Sequence, residues 1–220
     1  MFFSYSLLFK DRYVLNLPKG NFKLKIKPEQ LIMRFSSDIL KVFPEFASIP
    51  YKFKLNFAER ILHFLNQYKF VEKGNVQLTD NHKVQIASSY IKLTLGFSTY
   101  LIRSIHTIVI YPTAQFFPAF EETHKGHFNP AKKTIMLALD VFENDIFFSD
   151  DGINIAFHEF SHALCFELLA RYTKHPSGDN FKRVFKNVQN WFANTENSQA
   201  IKKAQFVRDY GFTDPLELVA

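Results

Sequence analysis

The sequence predicts an α+β fold, on three observations. The first hundred residues carry apolar positions at helical spacing, residues 105–142 shift to short β-branched runs, and helical patterning resumes at 152–172. The segments therefore sum to helices, a small sheet, then one further helix, within a single domain spanning residues 1–220. Residues 1–100 form its mainly helical N-terminal portion and residues 101–220 carry the sheet and the last helix. At 220 residues the chain is long enough for one domain with a substantial core.

Taken in order, "FKLKIK" (22–27) alternates apolar residues with lysine, as a half-buried strand does when its lysines guard a sheet edge. "PEQLIMRFSSDILKVF" (28–43) reads as a helix with Pro28 in its first turn, and a proline-bounded connection follows at 44–53. "NFAERILHFLNQYKF" (56–70) has Phe57, Ile61, Leu62, Phe64 and Leu65 at helical spacing. A third helix is expected over 78–97, capped by Thr79 or Asp80 and ending near Gly96. "IHTIVIYP" (105–112) is short and β-branched, which suits a buried strand. "KTIMLALDVF" (133–142) reads as a second strand, with helix a fair competitor because of its Met, Leu and Ala. Asp150 or Asp151 then stands at the start of the last helix, and Asn154 near it is a further capping or supporting residue.

Composition narrows the class. Hydrophobic residues make up 47% and charged residues 22%, both ordinary for a soluble globular protein. The single Cys165 cannot form an internal disulfide, and no apolar run approaches the roughly 20 residues of a membrane-spanning helix. The apolar opening "MFFSYSLLFKDR" has its charges after the run and no A-x-A site, so it reads as mature sequence. A cytoplasmic protein off the membrane is the expectation. The net charge of +6 is unevenly spread: residues 1–70 carry 12 Lys+Arg against 5 Asp+Glu, and the remaining 150 carry 15 against 16. No nucleic-acid motif accompanies this basic excess, and no nucleic-acid partner is expected.

The chemistry lies in "HEFSH", residues 158–162. Four residues advance about 400° around a helix, so His158 and His162 share one face, a turn apart. Two imidazoles so placed can both reach a zinc ion. Glu159 can hold a water without occupying a ligand position and take its proton for attack on a carbonyl. Without structural context the pattern also suits a core helix whose histidines bond backbone or water. A catalytic zinc needs a third protein ligand. Cys165, seven residues after His158, lies on the same face. Glu167 faces away. Asp209, Asp214, Glu217, His124 and His127 are the remaining candidates. Asp214-Pro215-Leu216-Glu217 also has the form of a helix start, so Glu217 reads equally as a cap or as a ligand.

"HEFSHAL" together with "YGFTDPLE" resembles the Mlc titration factor A (MtfA) family of zinc peptidases, whose catalytic region is similar to that of anthrax lethal factor. The resemblance covers roughly residues 43–220, with "FAERILHFLNQYKF", "LTDNHKVQIASSY", "IVIYP" and "DGINIAFHEFSH" in the family's order. It implies a zincin-like domain that hydrolyses peptide bonds by zinc-activated water, with Glu159 as general base. It further implies Zn2+ held by His158, His162 and Glu217, and Tyr210 as a donor to the oxyanion. "TIMLALDVF" is the segment expected to offer an edge strand to a peptide or protein substrate. The same resemblance implies a second function, recognition of a transcriptional regulator with a structural or vestigial zinc site. Two departures stand out. Cys165 occupies a position usually Asp, and the family continues past Ala220 through a further helix, so the C-terminal helix is expected to be truncated.

Overall fold

A computed structural model describes residues 20–117, 122–147, 154–170, 177–194 and 199. Its chain divides into two compact units, residues 1–160 and residues 161–220.

The first unit begins with extended chain. Residues 21–27 keep the alternating exposure that their sequence predicts, but they join no ladder. One side chain substitutes for a strand. Asn21 donates to the Phe70 carbonyl at 2.7 Å and accepts from the Phe70 amide at 2.9 Å, copying one backbone pairing. Three helices follow: α1 (Pro28–Val42), α2 (Tyr51–Gln67) and α3 (Asp80–Leu93), with a 3-10 turn at Pro44–Ala47. Helix α2 starts five residues earlier than its apolar spacing suggests, because Pro50 can precede a helix start. It also stops at Gln67, and Lys69–Glu72 form a strand, β1, where the sequence predicts more helix. Tyr68 makes that break. Its buried hydroxyl donates to the Ile102 carbonyl at 3.0 Å and accepts from the Ile102 amide at 2.9 Å. Thr79 caps α3, accepting from the His82 amide at 3.3 Å. The buried Asp38 of α1 accepts from Asn81 at 3.0 Å and Gln85 at 2.9 Å, which fastens α1 to α3.

The sheet has the order β1-β2-β6-β5, with β2 at Thr107–Tyr111, β5 at Gly126–Asn129 and β6 at Thr134–Ala138. Strands β1, β2 and β6 run parallel, and β5 is antiparallel to β6. Strands β3 (Gln115–Phe117) and β4 (Glu122–His124) form a separate antiparallel pair. "TIMLALDVF" is thus not an edge strand. Residues 134–138 lie inside the sheet as β6, and Leu139–Phe147 continue as helix α4. Among the described residues, β5 closes that side of the sheet. The mixed composition of 133–142 therefore divides between both states that its residues favour.

Strand alternation gives the sheet two unlike faces. Phe70, Ile108, Ile110, Ile135 and Leu137 share one face by register and are all buried. Val109, Tyr111, Met136 and His127 occupy the other and are half-buried. Phe64 of α2 seats the helices on the buried face, 6.4 Å from the Phe70 ring centroid and 4.9 Å from that of Tyr90.

Helix α5 (Ile155–Leu169) runs from the first unit into the second, which also carries α6 (Gly178–Phe192). No helix among the described residues is long and apolar enough to cross a membrane.

Candidate active site

Helix α5 contains the whole of residues 158–162, as the histidine spacing requires. Its start is set by two side chains. Asn154 Oδ1 accepts from the Phe157 amide at 2.9 Å, and Asp145 of α4 accepts from the Ile155 amide at 2.8 Å. Both supply acceptors for amides that have no partner inside the helix. Asn154 is thus the cap that the sequence suggests. Asp150 and Asp151 lie outside the described residues.

Most of α5 is buried, which is why its apolar residues show little one-sided pattern. Apart from Phe157, its residues that are not buried are Ile155, His158, His162, Phe166 and Leu169. They follow one another at intervals of three or four and so form a single stripe. The two histidines lie in that stripe. Glu159, beside it, is only 6% exposed. Phe160 points into the core, edge-on to Phe64 at 5.8 Å and to Tyr90 at 5.1 Å, and thereby anchors this turn of the helix.

Strand β5 passes close to Glu159. A Cβ at position 126 would lie 2.8 Å from Cγ and 2.8 Å from Oε1 of Glu159, and 2.8 Å from Cγ1 of Ile155. Gly126 therefore faces α5. The next residue, His127, projects from the opposite face of the strand. There its ring centroid lies 5.4 Å from that of His124 on β4. Burial and the neighbouring His124 lower the pKa of His127. Alternation along β5 thus removes His127 from the side that meets Glu159, and His124 accompanies it.

Cys165 is buried and lies off the stripe that holds the two histidines. It is 5% exposed, and burial pushes its thiol up to about 11. Among the described residues no three His, Cys, Asp or Glu side chains come together in a metal-sized group. Glu217, Tyr210, Asp209 and Asp214 lie outside the described residues. The raised thiol also makes a prediction. At pH 8 Cys165 should react with a soluble disulfide reagent at least about 10²-fold more slowly than free cysteine, and faster as the pH rises, because the thiolate is the nucleophile. Stopped-flow absorbance on the native and the denatured chain would measure it. A native rate equal to the denatured one would contradict that burial.

Gly126 is the contact that motif reading missed. Only a weak signal marked it: the chain has just 7 glycines, and this one interrupts "HKGHF" with no proline or helix end to explain it.

A helix bearing two histidines in its accessible stripe, with a buried glutamate between that stripe and a sheet edge, has the donor chemistry of a metallopeptidase. Residues 22–220 match a family model of that class. The family is the glucose-regulated metallopeptidase M90, and the chain belongs to it. The match begins earlier than the motifs alone suggest and takes in the lysine-rich segment at 22–27. No curated protein matches the chain.

Proposed function

We propose that the chain is a zinc-dependent peptidase of zincin-like type that uses Glu159 as general base. The observation that carries this reading is the placement of His158 and His162 in the accessible stripe of an otherwise buried helix, with Glu159 held against β5. Neutral imidazoles are ordinary zinc donors, so the residues present suit that metal. His158 and His162 would hold it, with Glu217 as third ligand on the strength of its "YGFTDPLE" context. Zinc, when bound, supplies the positive charge that acidifies water and polarises a carbonyl. Glu159 takes the proton of the attacking water and delivers it to the leaving amine. Tyr210 donates its hydroxyl to the developing oxyanion.

The substrate is a peptide or protein segment in extended form. Strand β5 lies at the side of the sheet nearest Glu159, so a peptide added there by backbone pairing would bring its carbonyl towards the base. A reducing, cytoplasmic setting suits a chain whose one cysteine is buried and has no disulfide to lose. Recognition of a transcriptional regulator fits the same scheme as substrate binding.

Metal analysis and turnover together test the reading. The parent chain should carry about one zinc, in keeping with three-ligand catalytic sites, and should cleave an unstructured peptide. His158→Ala and His162→Ala should each lose the metal, and Glu217→Gln should weaken its binding strongly. Full zinc occupancy in both histidine variants would remove the site. A zinc-replete parent without turnover would leave recognition without cleavage.

A further inference from the structure

We propose that Gly126 is a positioning residue for Glu159: the missing side chain on β5 is what allows the carboxylate to occupy its present place. The inference rests on the reading of Glu159 as the base and adds a second element, the sheet edge, to the control of that base.

The requirement is one of space, not of backbone conformation. Gly74 is the glycine with positive φ among the described residues, so position 126 has a backbone that any L-residue can adopt. Space is a different matter. The Cβ of any other residue would meet three side-chain atoms at 2.8 Å, and two of them, Cγ and Oε1, belong to Glu159. Real Cβ atoms do not approach heavy atoms so closely, so something must yield. What yields is a side chain, since none of the three atoms is backbone. An added Cβ therefore meets the side chains of Glu159 and Ile155 first, and the Glu159 carboxylate is among the groups it displaces. That distinguishes this glycine from Gly20, where a Cβ would lie 2.5 Å from the Tyr68 carbonyl oxygen and backbone itself would have to shift. The burial of Glu159 leaves its side chain few alternative positions. A general base works only within hydrogen-bond reach of its proton, and a misplacement of about 1 Å can cost on the order of 10²-fold in rate.

The test compares Gly126→Ala with the parent and with Gly96→Ala, a control site where an added Cβ would meet nothing within 4 Å. Gly126→Ala should retain the parental zinc content and a KM close to the parent's, with kcat lower by about 10²-fold. Gly96→Ala should match the parent in all three. Parental kcat at parental zinc content in Gly126→Ala overturns the proposal. Should that variant fail to fold, Gly126→Ala combined with Ile155→Ala, measured against Ile155→Ala alone, carries the same comparison. A thermal cycle keeps this separate from the peptidase reading. Glu159→Ala removes both contacted glutamate atoms, so Gly126→Ala should lower Tm less in that background than in the parent. If the parent shows no turnover, the peptidase reading fails and the cycle decides alone. An equal Tm decrease in both backgrounds then overturns the positioning role.

Discussion

Glu159→Gln is expected to lower peptide turnover by about 10²–10⁴-fold, the usual contribution of a positioned acid–base group, while leaving zinc content and fold unchanged. The amide is close to isosteric with the carboxylate, so it fits the same 6%-exposed site against Gly126. It cannot accept a proton in the range where the carboxylate does. His158 and His162 stay in the accessible stripe of α5, so metal binding should persist. A chelator-treated parent and a zinc-loaded Glu159→Gln chain should therefore be equally inactive for different reasons. Zinc restores the first and does nothing for the second. Undiminished kcat in Glu159→Gln would eliminate the proton-shuttle mechanism.

Phe64→Ala is expected to destabilise the chain by about 3–5 kcal/mol, the range for truncating a fully buried aromatic residue. Phe64 is 0% exposed, and its ring centroid lies 4.7 Å from that of Tyr68, 4.9 Å from Tyr90, 5.8 Å from Phe160 and 6.4 Å from Phe70. One ring thus joins α2, α3, β1 and the motif turn of α5. For a chain of this length the loss corresponds to a Tm lower by roughly 10 °C. Because Phe160 follows Glu159 directly, the cavity should also loosen the turn that carries the proposed base. Turnover should then fall before the global transition is reached. Differential scanning fluorimetry alongside activity over the same temperatures would measure both effects. A Tm within about 2 °C of the parent's would contradict the central place given to Phe64.

Wherever one segment serves one purpose, the sequence was a good guide. Pro28 announces α1, Thr79 caps α3, and the β-branched run at 107–111 is an inner strand, buried on one face and half-buried on the other. The sequence misleads at 22–27, which joins no ladder, at the start of α2, five residues earlier than predicted, and where neighbouring residues change state without a glycine or proline between them. "NQYKF" continues the apolar helical spacing, yet it leaves α2 for β1 because Tyr68 finds both its hydrogen-bond partners on the backbone of Ile102, 34 residues away. "TIMLALDVF" splits into strand and helix, and its pairing on both sides makes β6 an inner strand. Strands β3, β4 and β5 have only three or four residues each, too few to show a period.

Sequence by itself determined the helix that bears His158, Glu159 and His162, since the spacing of the two histidines and the period of the helix are both local properties. With its later "YGFTDPLE", it also proposed Glu217 and Tyr210. Tertiary structure alone decided which face of α5 remains accessible and which strand meets the glutamate. It also decided that His127, one residue from Gly126, belongs to the opposite face of the sheet. Those outcomes depend on strand order and register, which pair residues distant in the chain, and no local pattern encodes such a pairing.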